Sequence, residues 1–189
     1  MGVIVNSRLI YISGGCRSGK SAYAQDLAEG LPGRRVYLAT CPRIDEEMES
    51  RIILHRQQRE NRGWETVEAP LELAAAVEKL RDFDVILVDC LTLWVNNLFF
   101  EAELRNEDFT EVQMSACCNK LMEVCRKGSQ TILFVSNELG MGVVPADAIS
   151  RRYRDCLGRC NQIVAKAADE AVFMVSGIPL NLKEGKDKR

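Results

Sequence analysis

The sequence has a single histidine, no pair of cysteines separated by two residues and no surplus of positive charge. Its 25 lysines and arginines are outnumbered by 27 aspartates and glutamates, which gives a net charge of −2. Without a basic surplus to neutralise phosphates, no nucleic-acid partner is expected. The lone histidine and the cysteine spacing also argue against a zinc site, apart from a weak case for Cys156 and Cys160 at i, i+4 on one helix face.

Long apolar runs are also missing. No stretch approaches the roughly 18 uninterrupted apolar residues that a membrane-spanning helix needs, and the N-terminus lacks the basic start of a signal peptide. We therefore expect a soluble, cytoplasmic protein whose eight scattered cysteines act as small apolar residues, not as disulfides. With 189 residues, of which 47% are hydrophobic, the chain predicts one domain over residues 1–182 and a frayed, charged tail over 183–189.

The most specific motif is a phosphate-binding loop. Residues 14–21 read Gly-Gly-Cys-Arg-Ser-Gly-Lys-Ser, which matches G-x-x-x-x-G-K-[ST], and they lie between an apolar run and a helical one. Its glycines let successive backbone N–H groups surround a phosphate at the positive end of the following helix. Lys20 is expected to reach the outer phosphates and Ser21 to bind Mg²⁺, so the motif predicts a nucleoside triphosphate site.

Strand and helix patterns alternate along the chain. Continuous apolar runs predict strands at 8–13, 34–39, 84–89, 131–136 and 171–176. Helical patterns fall at 22–31, 45–62, 71–81, 91–104, 108–127 and 146–168. The alternation predicts an α/β fold of the P-loop nucleoside triphosphate hydrolase type, with a mostly parallel sheet covered by helices on both faces.

Polar side chains follow two of these strands. Asp89 ends one strand, where a P-loop enzyme places the carboxylate that holds Mg²⁺, although an aspartate there could instead cap the next helix. Asn137 and Glu138 end another strand, and ligands of open α/β sheets gather at such ends. Turn chemistry leading into the following glycines explains these two residues equally well.

The single histidine, His55, lies on the helix predicted for 45–62, with Arg51 and Arg59 one turn away on either side. Two guanidinium groups would attract phosphate and favour the neutral, nucleophilic imidazole. By spacing alone, however, a solvated surface histidine is the better interpretation. The basic run Arg151–Arg154 is similarly interpreted as a solvated face or a subunit contact in preference to a substrate clamp.

Taken in order, the motifs resemble those of a known family. They comprise the loop at 14–21, Ala39-Thr40, Asp45-x-Glu-Met-x-x-Arg-Ile-x-x-His55-x-x-x-Arg59, Trp64-x-Thr-x-Glu68, Asp89-Cys-Leu-Thr92, Val135-Ser-Asn-Glu-x-Gly-Met-Gly-x-Val-Pro145 and Arg152-Tyr-Arg-Asp-x-x-Gly-x-x-Asn-Gln162. This set resembles the bifunctional adenosylcobinamide kinases/adenosylcobinamide-phosphate guanylyltransferases of cobalamin assembly.

The resemblance implies two reactions at one nucleotide site. ATP or GTP phosphorylates the aminopropanol hydroxyl of adenosylcobinamide, and His55 then attacks the α-phosphate of GTP to form a guanylyl-enzyme that passes GMP to the phosphorylated acceptor. It also implies a homotrimer, catalytic roles for His55 and Lys20, and Mg²⁺ held by Ser21 and Asp89. The implied nucleotide contacts are Gly14, Gly15, Cys16, Arg17, Ser18, Gly19, Lys20, Ser21, Ala39, Thr40, Cys41, Arg59, Glu68 and Asp89.

The sequence departs from the family pattern in a few places. Cys16 and Cys41 stand where other small residues are expected, and residues 56–58 replace a stretch that usually contains lysine and glycine. Two other hypotheses therefore stay open. The chain could be a P-loop small-molecule kinase without guanylyl transfer, or a nucleotide-dependent switch that binds a partner.

Overall fold

The computed structural model describes residues 7–41 and 59–185, which contain seven strands and five helices. The strands are β1 (Arg8–Gly14), β2 (Arg35–Ala39), β3 (Trp64–Glu68), β4 (Val85–Asp89), β5 (Thr131–Asn137), β6 (Glu170–Val175) and β7 (Ile178–Lys183). The helices are α1 (Lys20–Glu29), α2 (Leu73–Lys79), α3 (Leu91–Leu104), α4 (Glu111–Arg126) and α5 (Ala148–Ala167).

All seven strands form one sheet in the order β3-β2-β4-β5-β1-β6-β7. The first six are parallel, and only β7 runs antiparallel, beside β6. Strand β5 lies between the strand that leads into the phosphate-binding loop and the strand that ends at Asp89. The carboxyl ends of β1, β4 and β5 therefore meet at one edge of the sheet, where ligands of open α/β sheets bind.

Alternate residues of each strand enter two separate cores. In β1, Leu9 and Tyr11 join the core covered by α2, α3, α4 and α5, whereas Ile10 and Ile12 join the core covered by α1. Both faces are buried because parallel strands need helical crossovers on each side. The prediction of an α/β fold with helices on both faces is thus confirmed.

Strands β3 and β7 were missed by the sequence prediction, and the helix that it predicted at 45–62 is too long. The predicted helix at 45–62 lies outside the described residues up to position 58, and residues 60–63 form a turn, so it does not reach Arg62. The residues of β3 are exposed or half-buried and those of β7 are exposed, so neither strand has the apolar run used to find the others. Strand β7 ends at Lys183, the first residue of the predicted tail, whose Nζ donates to the carbonyl of Lys166 at 3.2 Å. Residues 186–189 lie outside the described part of the chain.

All eight cysteines are free thiols in the structure. Five are buried: Cys90, Cys118, Cys125, Cys156 and Cys160. Their burial confirms that they act as apolar core residues, and it raises the pKa of the Cys125 thiol to about 12. Cys16, by contrast, is exposed, and Cys41 is half-buried.

Within residues 7–41 and 59–185, no helix is long and apolar enough to cross a membrane.

Candidate active site

The phosphate-binding loop joins β1 directly to α1. Gly14 is required at its start because a Cβ there would lie 2.6 Å from the Met174 carbonyl oxygen and 2.7 Å from Ser18 Oγ. Gly19 caps the helix with a φ of 88°, a value that side-chain-bearing residues rarely adopt. The N–H of Gly177 donates to the Ser18 carbonyl at 3.0 Å, so the turn after β6 supports the loop from outside.

Lys20 begins α1 and lies back over the loop. Its Nζ donates to the Gly15 carbonyl oxygen at 3.0 Å, which places the ammonium group at the mouth of the anion cradle. Cys16 and Arg17 are exposed at the loop's outer turn. Ser18 is 6% exposed, and within the described part of the chain its hydroxyl has no hydrogen-bond partner. An orphaned hydroxyl inside such a loop is suited to a phosphate oxygen.

A cavity of about 390 Å³ opens beside this loop. Ser21 and Asp89 line it together, with Tyr37 and Arg62 also on its wall. The capping explanation for Asp89 is wrong, because the N-cap of α3 is Cys90 and its side chain makes no capping bond. Asp89 is therefore available for a ligand role at the carboxyl end of β4.

Ser21 and Asp89 form an oxygen donor set that fits Mg²⁺. A hydroxyl and a carboxylate are hard ligands, and Mg²⁺ in triphosphate sites takes one or two such protein oxygens, with phosphate and water filling the other positions. Among the described residues, no group of three or more metal-ligating His, Cys, Asp or Glu side chains occurs elsewhere. The sequence hypothesis of weak metal binding at Cys156 and Cys160 gains no support from their surroundings.

Tyr37 lies between this cavity and Arg59. It lines the cavity together with Asp89, and the guanidinium carbon of Arg59 lies 3.5 Å from the centre of the Tyr37 ring. Burial, followed by the Asp89 charge, holds the pKa of the Tyr37 hydroxyl well above its usual value, so it stays a donor. Arg59 is only 5% exposed, so its guanidinium group is buried against the Tyr37 ring.

The other predicted nucleotide contacts lie at or just after the carboxyl ends of β2 and β3. Ala39 pairs with both Asp89 and Glu68, so all three strand ends lie at the same level. Thr40 is fully buried, and its hydroxyl is committed to the backbone of Cys90, with which it exchanges two hydrogen bonds of 2.7 Å. Thr40 therefore fixes the turn after Asp89. Glu68 is exposed at the end of β3, and Cys41 follows Thr40.

The carboxyl end of β5 is held by two side chains from other elements. The backbone N–H of Asn137 donates to Thr92 Oγ1 at 2.8 Å, and its carbonyl accepts from Asn161 Nδ2 at 2.9 Å. Asn161 also accepts from Ser136 Oγ at 2.6 Å. Glu138 makes the turn contact that its alternative interpretation predicted, accepting from the Gly140 N–H at 2.6 Å.

The basic run on α5 is committed to internal contacts. Arg151 donates to the carbonyls of Pro145 and Ala146, and Arg152 pairs with Asp108 at 2.5 Å. These contacts support the interpretation of a structural face over that of a substrate clamp. His55 and Arg51 lie outside the described residues, so the histidine hypothesis depends on the sequence.

The loop geometry and the sheet order show a P-loop fold, and a comparison with known families narrows this to one group of enzymes. Residues 10–182 match the family model described as cobinamide kinase / cobinamide phosphate guanyltransferase. The chain belongs to this family.

Curated relatives agree with that assignment. The chain is 35% identical over 182 residues to the bifunctional adenosylcobalamin biosynthesis protein CobU of Escherichia coli, covering 93% of this chain and 99% of the relative. It is 36% identical over 182 residues to the protein of that name in Salmonella typhimurium, with coverage of 93% and 99%. For the bifunctional adenosylcobalamin biosynthesis protein CobP of Pseudomonas aeruginosa the identity is 39% over 173 residues, with coverage of 91% and 95%.

A solved structure shows the same fold. An ATPase from the type III secretion system of pathogenic bacteria matches with a TM-score of 0.56 at 14% identity, covering 92% of this chain and 56% of that one. At this identity the likeness shows the fold alone. It agrees with the prediction of a P-loop nucleoside triphosphate hydrolase fold.

Sequence reasoning missed two contributors to this site. Tyr37 reads as an ordinary strand residue, and only the pairing of β2 with β4 brings it to Asp89. Thr92 appeared in a motif, but its hydroxyl bond to the Asn137 backbone joins residues 45 positions apart. Side-chain contacts across elements depend on strand order, which local patterns do not determine.

Proposed function

We propose that this protein phosphorylates adenosylcobinamide with a nucleoside triphosphate and then transfers GMP from GTP to the product, giving adenosylcobinamide-GDP. The observation that carries the proposal is the family match over residues 10–182, joined to a complete phosphate-binding loop facing Asp89. Family and loop together support both activities at one nucleotide site.

The described residues include groups that bind the phosphates and neutralise their charge in both reactions. The backbone N–H groups of residues 14–21 and the Lys20 ammonium group neutralise phosphate charge, which is most of what phosphoryl transfer requires of a protein. Ser21 and Asp89 would hold Mg²⁺, which supplies further charge neutralisation when bound. Tyr37 lines the same cavity as Asp89 and supports the metal side of the site.

The second reaction needs a nucleophile that the first does not, and we assign this role to His55. Its imidazole Nε2 or Nδ1 attacks the α-phosphorus of GTP, the bond to the β-phosphate oxygen breaks, and pyrophosphate leaves. The phosphate group of the acceptor then displaces the histidine and takes the GMP. What supports this assignment is the position of His55 in the family motif and the presence of Arg59, four residues later in the sequence, against Tyr37 at the nucleotide site.

Covalent labelling tests the transferase assignment. Incubation with GTP labelled at the α-phosphate should leave on the protein an adduct that is stable in base and labile in acid, as phosphohistidine-type bonds are. His55→Ala should remove the adduct, whereas Lys120→Ala, which changes an exposed residue of α4, should keep it. Mass spectrometry of the labelled peptide would identify the modified residue.

The outcome separates the competing hypotheses. A wild-type protein that phosphorylates cobinamide yet takes no label would be a kinase without guanylyl transfer. A protein that neither takes label nor phosphorylates cobinamide would fit the nucleotide-dependent switch.

We further propose that the enzyme works as a cytoplasmic homotrimer. Exposed apolar side chains after β5, including Met141 at 79% and Val143 at 94%, would be covered by neighbouring subunits in such an assembly. Light scattering during gel filtration should give a mass of about three chains. Charged substitutions such as Val143→Glu should lower this mass if the surface is the contact.

A further inference from the structure

The carboxyl edge of the sheet contains a second orphaned polar atom, the side-chain oxygen of Asn137. This Oδ1 atom is buried, and within the described chain it has no hydrogen-bond partner. The backbone of the same residue is fully satisfied by Thr92 and Asn161. A buried acceptor left alone in a native fold costs about 1–3 kcal/mol, so its presence calls for a functional explanation.

Strand alternation places this side chain on the nucleotide face. In β5, Val135 belongs to the core under α1, whereas the side chain of Ser136 bonds to Asn161 of α5 on the opposite side. Asn137 therefore returns to the α1 face. Within the sheet the Asn137 backbone pairs with Gly14, the first residue of the phosphate-binding loop, while Asp89 pairs with Val135 on the other side of the strand.

The chemistry of an amide oxygen restricts what it can bind. Ser18 Oγ, the other orphan at this edge, can donate a proton to a phosphate oxygen. Asn137 Oδ1 can only accept, and a phosphate oxygen offers it nothing. Its partner is therefore an O–H or N–H group or a cation, and an acceptor hydroxyl that approaches the phosphates beside Gly14 supplies such an O–H.

We propose that Asn137 Oδ1 accepts a hydrogen bond from the attacking hydroxyl of the cobinamide acceptor in the kinase step. This bond orients an oxygen lone pair towards the γ-phosphorus of the donor nucleotide. The new bond joins the acceptor oxygen to phosphorus, and the bond between phosphorus and the β–γ bridging oxygen breaks, leaving the nucleoside diphosphate. The hydroxyl proton, which an amide cannot take, is released to water after the new bond has formed.

The inference rests on the proposed kinase activity and gives Asn137 a role in only one of the two reactions. Attack on the α-phosphate of GTP involves no alcohol acceptor, so formation of the guanylyl-enzyme does not use this bond. Asn137 would then be a residue that separates the two activities, whereas Lys20 and Asp89 serve both.

Asn137→Ala is the direct test, with Asn119→Ala on the exposed face of α4 as the matched control. The substitution keeps both backbone hydrogen bonds of residue 137, and thermal unfolding will report whether the fold is intact. We expect kcat/KM for phosphorylation of cobinamide to fall about 30-fold, the loss of one buried hydrogen bond. Self-labelling from α-labelled GTP, without acceptor, should change less than threefold.

Equilibrium binding of two acceptors sharpens the test. A cobinamide analogue with hydrogen in place of the hydroxyl should bind the wild type more weakly than cobinamide does, and Asn137→Ala should not distinguish the two. Equal weakening for both acceptors would show a merely structural role and overturn the proposal. A parallel loss of kinase and self-labelling would also overturn it, because Asn137 would then serve the nucleotide or its metal-bound water.

The proposed function and this inference can fail separately. A wild-type protein without cobinamide kinase activity contradicts the proposed function itself. A wild-type kinase that Asn137→Ala leaves unchanged contradicts only the role of Asn137.

Discussion

Polar side chains have different roles at the amino and carboxyl ends of the parallel strands. At the amino end, Arg126 forms a two-pronged pair with Asp169, both bonds 2.9 Å long, and also donates to the Ser7 carbonyl at 2.9 Å. At the carboxyl end, Ser18 Oγ and Asn137 Oδ1 are buried without a partner in the described residues; Ser7 Oγ and Arg35 Nε are likewise unpartnered at the amino end, but they lie away from the phosphate-binding loop. The contacts of Arg126 at the amino end contribute stability, whereas the unpartnered atoms beside the loop are placed to bind a ligand.

Lys20→Ala should give the largest effect and touch only the carboxyl end. Removing the ammonium group should lower both the kinase rate and the rate of self-labelling by about a thousandfold, since both reactions use the same phosphate cradle. The melting temperature in the absence of nucleotide should stay near that of the wild type, because the hydrogen bond from Lys20 Nζ to the Gly15 carbonyl is exposed to water. Steady-state kinetics measures the two rates, and calorimetry measures the melting temperature.

Lys79→Ala, at an exposed position of α2, is the control for that experiment. Full kinase turnover in Lys20→Ala would show that the two reactions use separate sites. A collapse in stability would instead show that the carboxyl end also holds the fold together.

Arg126→Ala tests the amino end and should reverse the pattern. We expect the free energy of unfolding to fall by about 2 kcal/mol, because several bonds from a charged donor are removed, although partial exposure limits their strength. Both activities should stay within about twofold of the wild type at temperatures where the protein is folded. Urea unfolding and kinetic assays measure the two effects, with Arg105→Ala, which removes an exposed ion pair at the end of α3, as control.

The same variant should change how stability depends on pH. Burial of Asp169 favours its neutral form, but bonds from Arg126 and the Leu9 N–H outweigh burial, so the pKa of its carboxyl lies below its usual value. A lowered folded-state pKa gives stability that is present above the unfolded pKa of about 3.9 and is lost as pH falls through the folded value. The difference in unfolding free energy between the wild type and Arg126→Ala should therefore become smaller below about pH 4. A difference that does not change with pH would contradict this account.

The sequence predicted those parts of the molecule that depend on contiguous residues. The loop at 14–21 and the buried strand ending at Asp89 are local patterns, and the structure places both as predicted at one edge. Strand β7 was missed because Ile178–Lys183 is exposed, contains a proline and forms an edge. Such a strand takes its identity from its partner β6, which no local pattern reveals.

Contacts across elements were beyond sequence reasoning for a similar reason. Neither Tyr37 with Asp89 nor Asn161 with Asn137 can be inferred before the strand order is known. The assignment of Asn137 and Glu138 stayed open at the sequence level because both follow the same strand. The structure distinguishes them, since Glu138 closes a turn while Asn137 Oδ1 stays unbonded within the described residues.

Tyr37→Phe should give the smallest effect. It tests whether the ligand site at the carboxyl end of the sheet depends on residues that surround the Asp89 carboxylate. The ring and its stacking with Arg59 are kept, and only the hydroxyl in the cavity that Asp89 also lines is removed. We expect the Mg²⁺ concentration for half-maximal kinase activity to rise about tenfold, with kcat at saturating Mg²⁺ little changed. Tyr23→Phe on α1 is the matched control.

An unchanged Mg²⁺ requirement would mean that Asp89 is held well enough by its strand, and that Tyr37 is a core residue only. A loss of kcat that Mg²⁺ cannot restore would instead show that the Tyr37 hydroxyl acts on the reacting phosphate and not through Asp89.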